Sequence, residues 1–281
     1  MRICRVDGEQ PLDKKADTAS GMKRWMDASH PELTFILRRL KWVLEARGRH
    51  SRRIVRGYKD RHAGERCFII GNGPSLNHMD LKPLAGEFTF SLNRGYLYYD
   101  RIGAPCTYLV AVNMHVLQQF SDEIAALDNT KFLAWGCRRW FQLDDRIAYL
   151  AGPTRNEPPR FSTDVSTDLW AGATVTYVAM QLAYYMGFKQ VILIGVDHNF
   201  ATKGTPHKLV TSEGDDPNHF APEYFGKGVK WQLPDLDTSA LAYTLAREAY
   251  AKDGREILDA TVGGKLTVFP KVRYEDLFSS R

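Results

Sequence analysis

The sequence predicts an α/β protein built on a mostly parallel sheet with helices on both faces. Three observations carry that expectation. Strand-type and helix-type segments alternate along the chain, the order that builds a parallel sheet through helical crossovers. The run QVILIGV (190–196) is apolar without alternation, as a central strand covered on both faces requires. The strand-type runs end in glycine or polar residues, and parallel sheets bind ligands at those carboxyl ends.

Taken in order, residues 1–30 are polar and irregular and are expected to be flexible. From Pro31, the apolar residues Leu33, Phe35, Ile36, Leu40, Trp42, Val43 and Leu44 fall at helical spacing, with the proline in a first turn. The stretch that follows, ARGRHSRRIVRGYKDRHAGER (46–66), is strongly basic. Residues 1–66 carry 17 Lys/Arg against 9 Asp/Glu, and the remainder 21 against 24, so the net charge of +5 arises before residue 67. A solvated helix packed on the body fits this stretch. So does a peripheral contact of 33–66 with an anionic membrane or an acidic partner. A basic run alone does not argue for nucleic acid. The expected division is a basic helical extension, 1–66, and a nucleotide-binding domain, 67–281.

A strand and turn are expected over CFIIGNG (67–73), and strands at Phe88–Tyr96, at Cys106–Asn113 and at 131–135. A helix follows over Gly172–Phe188, apolar all round, then the central strand Gln190–Phe200. Residues 201–235 are polar, rich in Gly and Pro and seeded with aromatics. A connection of that length is functional or mobile, and it is expected to be a lid at about 200–235. An amphipathic helix then ends at Gly254, and REILDATVGG (255–264) makes a last strand and turn.

Composition bounds the class. Hydrophobic residues make up 44% and charged residues 25%, which excludes wholesale disorder. Cys4, Cys67, Cys106 and Cys137 are widely spaced, with no CxxC or zinc-type cluster. A reducing cytoplasm is expected, since the first residues lack the apolar core of a signal peptide and no run reaches transmembrane length.

The polar residues at the strand ends are the candidate site. FIIGNGPSL (68–76) is neither GxGxxG nor a Walker loop. Gly71 and Gly73 permit a tight turn and close approach of a ligand. Asn72 supplies a donor and an acceptor, and Ser75 opens a possible helix whose free amides favour anions. Asn93 and Asn113 end the next two strands. Three asparagines at successive strand ends suggest a neutral cradle for a sugar, base or phosphate. Asp197 follows the central strand and suits a metal, a ribose or a donor sugar, or simply caps loop amides. His198 beside it is a further candidate base. In GDDPNHFAPEYFGKGVKW (214–231), His219 suits a general base near neutral pH, with His198 and Glu223 as the alternatives. Asp197, Asp215 and His219 match no recognised metal spacing, and the metal is left unassigned.

FIIGNGPSL, FSLNRGY and TVTYVAMQLAYYMGFKQVILIGVD resemble bacterial family-42 sialyltransferases. GNGPSL, GVDHNF, DDPNHFAPEYFGKG and ATVGGKLTVFPKV (260–272) are similar to a broader bacterial MptE-like group covering residues 67–278. The resemblance implies a Rossmann-like, GT-A-like fold with a mobile lid, and an inverting transferase that needs no metal. It implies a nucleotide-sugar donor, CMP-linked by preference, and a glycan or glycolipid acceptor. Asn72, Gly73, Ser75 and Asn93 would hold the CMP phosphate. Gly172, Thr174 and Thr176 would touch the donor, and Thr261 and Gly263 would lie by the cytidine. A homo-oligomer is also implied. The sialyltransferase lid histidine has no match here, where Glu223 and Tyr224 stand, and neither has the tyrosine pair, since His198 and Asn199 follow Asp197. The alternatives are a pterin diphosphokinase type of transferase using ATP and Mg²⁺, and a non-catalytic nucleotide-binding protein.

Overall fold

The computed structural model describes residues 31–151 and 158–279; the irregular segment expected at 1–30 lies outside the described residues. The strands are β1 Arg66–Ile70, β2 Phe88–Leu92, β3 Tyr108–Ala111, β4 Thr130–Ala134, β5 Ile147–Leu150, β6 Gln190–Ile194, β7 Leu209–Thr211, β8 Lys230–Gln232 and β9 Glu256–Asp259. Seven of them form one sheet in the order β5-β4-β3-β2-β1-β6-β9. Every neighbouring pair in it is parallel. This is a Rossmann-like α/β sheet. β7 and β8 form a separate antiparallel pair.

The strands are apolar because both faces of the sheet are covered. In β1, Cys67 and Ile69 enter one core, and Phe68 and Ile70 enter the other. In β6, Val191 and Leu193 divide from Ile192 and Ile194 in the same way. Period-two alternation with both sides buried gives the unbroken hydrophobic run.

The helices are α1 Pro31–Leu44, α2 Ala46–Arg56, α3 Tyr99–Ile102, α4 Met114–Gln119, α5 Ser121–Ala126, α6 Val175–Tyr185 and α7 Leu236–Lys252. Every residue of α6 from Thr176 to Tyr185 is buried. It packs on β1, β2 and β3 and against α7, which itself meets β9, so it shows no polar stripe. The opposite face is closed by shorter pieces. They include the 3-10 turn Pro74–His78, α4, α5 and the aromatics Phe220, Tyr224, Phe225 and Trp231.

The basic region forms two helices, parted at Glu45, whose backbone is extended. α2 belongs to the body: Val55 is in the core, and Ser51 Oγ accepts a 3.0 Å hydrogen bond from the Tyr149 N–H of edge strand β5. Satisfying a backbone group there blunts an edge that would otherwise template another strand. α1 is held differently. Trp42 packs edge-on against Trp135, centroids 5.1 Å apart. No helix among the described residues is long and apolar enough to cross a membrane.

Candidate functional site at the carboxyl rim of the sheet

The chain leaves β1 to build β2–β5 on one side, then returns to place β6 and β9 on the other. The connections leaving β1 and β6 therefore run to opposite sides of the sheet, which places a crevice at its switch point. A cleft of about 640 Å³ lies there, within the size range of small-molecule sites.

The GNGPS turn is first of all a structural joint. Gly71 N–H donates to Ile194 O at 2.7 Å, and Gly73 N–H donates to Gly195 O at 2.9 Å. A Cβ on Gly71 would sit 2.2 Å from Gly195 O, and one on Gly73 would sit 1.7 Å from Asp197 Oδ2. Both glycines are needed for the two strand exits to pass one another. Asp197 holds the same joint. Its Oδ1 accepts from Ser75 N–H at 3.2 Å and its Oδ2 from Ser75 Oγ–H at 2.7 Å. Burial raises the Asp197 carboxyl above its ordinary range, opposed by the Ser75 hydrogen bonds. Of the roles open to Asp197 from sequence, the loop cap is the one its contacts fill.

The three asparagines separate. Asn72 donates through Nδ2 to Leu92 O at 3.0 Å, which fixes its amide orientation; its Oδ1 is buried with no partner. Asn93 sits at φ +50°, and its Oδ1 is also buried and unpaired. A buried acceptor without a donor costs about 1–3 kcal/mol. Two such oxygens in one cleft favour a ligand that brings O–H or N–H groups. Asn113 does something else: its Oδ1 accepts from His115 N–H and Val116 N–H and caps α4. Its carbonyl oxygen is spent on the protein.

α6 points its first turn at the cleft, which Ala173, Thr174, Val175 and Thr176 line. Thr174 is the N-cap, and its side chain accepts from Thr176 N–H at 3.3 Å. Gly172 and Ala173 both have left-handed φ, +54° and +57°. The first-turn amides of a helix lack intrahelical partners and, with the dipole, favour an anion. Of the five non-glycine residues with positive φ among the described residues, four line the cleft: Asn93, Ala173, His198 and His207. Strain of this kind collects at functional sites.

His219 lies at the other wall. Its Nδ1–H donates to Asp216 Oδ2 at 2.6 Å, and its ring stacks on Tyr224 at 4.1 Å and 11°. Asp216 also accepts from Asn218 N–H at 2.8 Å and Phe225 N–H at 3.1 Å. Burial pushes the Asp216 carboxyl up, but His219 and the two amides outweigh it and hold it below its ordinary value. An ionised carboxylate at Nδ1 sets the tautomer, which leaves Nε2 as the basic nitrogen. His198 also lines the cleft, and burial lowers its pKa below the usual histidine range.

The segment carrying His219 is pinned in place. Phe220 N–H donates to Asn72 O at 2.9 Å, Asn77 Nδ2 donates to Phe220 O at 2.9 Å, and Gln119 exchanges two hydrogen bonds with the Lys230 backbone. Arg94 is buried against Phe120, its guanidinium 3.7 Å from the ring centroid, and donates to Glu223 O and Tyr224 O.

The strand-end residues therefore gather at one rim, with differences in reach. Gly71, Asn72, Gly73, Asn93, Asn113, Thr174, Thr176, Asp197, His198 and His219 line the cleft. Ser75, Gly172, Glu223, Thr261 and Gly263 lie outside its lining. Ser75 is buried beneath Asp197, Glu223 is exposed, and Thr261 Oγ1 accepts from Val196 N–H at 3.2 Å. Sequence reasoning missed His115, His207, Asp235 and Tyr243, which also line it. Asp235 was within reach. A carboxylate just before an apolar helical pattern is an N-cap signature, and Asp235 Oδ1 accepts from Thr238 N–H at 2.9 Å. Among the described residues, no lysine or arginine lines the cleft, and no group of three His, Cys, Asp or Glu is placed to hold a metal ion. No family model, no curated protein and no solved structure matches the chain.

Proposed function

We propose that the chain is a glycosyltransferase that moves a sugar from a nucleotide donor, CMP-linked by preference, to a hydroxyl of a glycan or glycolipid acceptor. The His219–Asp216 pair carries the proposal: it is an oriented base beside a cleft that also receives a helix N-terminus. His219 Nε2 takes the proton of the acceptor hydroxyl as that oxygen bonds to the anomeric carbon. The anomeric carbon–phosphate oxygen bond breaks, and its electron pair leaves with CMP. The first turn of α6 stabilises the phosphate charge electrostatically. Asn72 Oδ1 and Asn93 Oδ1 accept from hydroxyl or amino groups of the donor. In this proposal segment 200–235 acts as the lid of a GT-A-like site, its aromatics excluding water from the reacting atoms.

The cleft chemistry favours one phosphate over three. With no lysine or arginine among the described lining residues, a helix terminus and histidines balance the anion, which suits a nucleoside monophosphate ester. The Mg²⁺–ATP alternative needs carboxylates free to bind the ion. Asp197 has both oxygens on Ser75, and Asp215 is exposed and outside the cleft lining, so that donor set fits poorly.

Thermal-shift titration with CMP, CDP, UDP, GDP and ATP, each with and without Mg²⁺, tests the donor. Metal-independent stabilisation by CMP is expected. Selectivity for Mg²⁺–ATP would replace the proposal with the kinase alternative, and silence toward every nucleotide would remove both. His219→Ala is expected to lower transfer by about 10²-fold or more while leaving CMP stabilisation intact. CMP binding by a wild-type protein that transfers no sugar would leave the non-catalytic binder.

A further inference from the structure

α1 carries two apolar faces and uses one. Trp42, buried to 3%, anchors the helix on Trp135. Ile36, Leu37, Leu40, Val43 and Leu44 are 37–64% exposed. Their spacing of one, four, seven and eight residues from Ile36 sets them on one side of a helix, opposite Trp42. Nothing among the described residues covers this stripe. Singly exposed leucines are ordinary, but a contiguous apolar stripe marks an interaction surface.

Its surroundings are basic. Lys41 is exposed on one flank, and Arg39 on the other pairs with Asp168. At the end of the helix, Arg49 donates to Leu44 O and Arg52 donates to Val43 O at 2.8 Å, so both guanidiniums lie against the last exposed residues of the stripe. Lys41, Arg49 and Arg52 have no carboxylate partner among the described residues. Over residues 31–66 the chain holds eleven Lys/Arg against four Asp/Glu.

We infer that α1 is a bilayer-docking helix. It lies flat on an anionic membrane surface, with the stripe between the headgroups and Lys41, Arg49 and Arg52 on the lipid phosphates. Apolar residues flanked by basic ones, on a helix too short to span, are the chemistry of interfacial binding. Charge selects the lipid over the other occupants. A second copy would bring the same positive surface against itself, which opposes association. Residues 1–30 hold six Lys/Arg and five Asp/Glu, so they bring no net negative charge. Docking here also has a directional consequence. Trp135 directly follows β4 at the carboxyl rim, so the anchor of α1 shares the end of the sheet that carries the cleft. A glycan acceptor held on a lipid would be presented to that rim. This last step rests on the transferase proposal; the docking itself does not.

Vesicle sedimentation of the full chain tests it, with phosphatidylcholine vesicles alone or mixed with phosphatidylglycerol. Binding is expected only with phosphatidylglycerol, weakening with salt. Leu40→Ser/Leu44→Ser should weaken it about tenfold, and Arg49→Glu/Arg52→Glu should weaken it comparably. Leu40, Leu44 and Arg49 are exposed and Arg52 is half-buried, and an unchanged melting temperature shows that the fold persists. Equal binding by wild type and both variants overturns the inference, as does equal binding to neutral vesicles. A wild-type dimer that Leu40→Ser/Leu44→Ser dissociates, without vesicle binding, assigns the stripe to a second copy instead. Failure of the full chain to bind, with α1 already resistant to trypsin in the absence of vesicles, assigns it to another segment of the chain. CMP stabilisation is measured on the same variants; if it survives while vesicle binding fails, the docking inference falls alone.

Discussion

At the residue scale, the informative group is the one that orients His219 rather than His219 itself. Asp216 is buried, accepts from two backbone amides and fixes the imidazole through Nδ1. Asp216→Asn keeps the size and loses the charge. An amide also presents an N–H to Nδ1 as readily as an oxygen, so the tautomer is no longer set. Transfer is expected to fall by about 10²-fold or more, with donor stabilisation retained. A variant retaining full turnover would show that His219 acts without Asp216. The same residue makes a stability prediction. The folded-state pKa of Asp216 is depressed, so its contribution is fully present above the ordinary aspartate value and is lost as pH falls through the lowered one. Wild type should exceed Asp216→Asn in urea resistance at pH 7, and the gap should close on acidification into the carboxylate range. The sequence made His219 visible, because a histidine among aromatics and carboxylates is conspicuous. It put Asp215 forward as the candidate carboxylate and gave Asp216 no role. Only packing tells them apart: one side chain turns to solvent and the other goes under the aromatic stack.

At the element scale, legibility followed apolar stretches set between turn-type residues. β1, β3 and β6 were readable from apolar runs of four, and β2, β4 and β9 from shorter apolar stretches interrupted by Thr89, Ser91, Lys131 and Asp259; α6 was readable because nine of its eleven residues are apolar. β5 was not. Ile147–Leu150 is four residues long, lies just after Asp144, Asp145 and Arg146, and is a strand because β4 and α2 cover it. β7 flanks a partly buried residue and β8 a buried one with exposed positions, over three residues each, too short for any period to register. α1 shows the reverse case. Its helical spacing was plain, yet spacing cannot say which apolar face meets the body. Among its described side chains Trp42 alone is buried, so one side chain supplies its apolar anchoring, beside the Arg39–Asp168 pair and the Arg49 and Arg52 bonds to its last carbonyls. Trp42→Ala should therefore release α1 locally rather than unfold the sheet. Trypsin cleavage at Arg39 and Lys41 is expected to accelerate by tenfold or more, as an order-of-magnitude estimate from losing about 3 kcal/mol of buried aromatic packing. The melting temperature of the body should move little. A fall in global stability as large as the gain in cleavage would mean that α1 is cooperative with the core.

For the molecule as a whole, the cleft and the fold are one device. Reversal of strand order between β1 and β6 opens the crevice, but the crevice has walls only because the two strand exits buttress each other. Gly71 and Gly73 donate to the β6 exit, and Asp197 returns two hydrogen bonds' worth of acceptance to Ser75. The motif that looked most like a ligand grip is thus largely occupied by the protein, and the grip passes to Asn72, Asn93 and the first turn of α6, which that joint holds in place. Gly71→Ala tests this coupling. Its Cβ would fall 2.2 Å from Gly195 O and 2.6 Å from Gly195 C, both backbone atoms that cannot swing aside. The strand exits must separate, at a cost of about 1–3 kcal/mol, read as a lower urea midpoint. Because Asn72 is the next residue and Phe220 N–H bonds to Asn72 O, separation also shifts the floor of the cleft. CMP stabilisation should weaken more than the loss of stability alone predicts. Gly263→Ala is the control. It lies outside the cleft lining with open space around its Cβ and φ +68°, so it pays only the left-handed backbone cost of roughly 1 kcal/mol. If both variants lose similar stability and retain the same CMP response, the joint does not shape the site. If Gly71→Ala alone loses the response, folding at the switch point and recognition in the cleft are the same event.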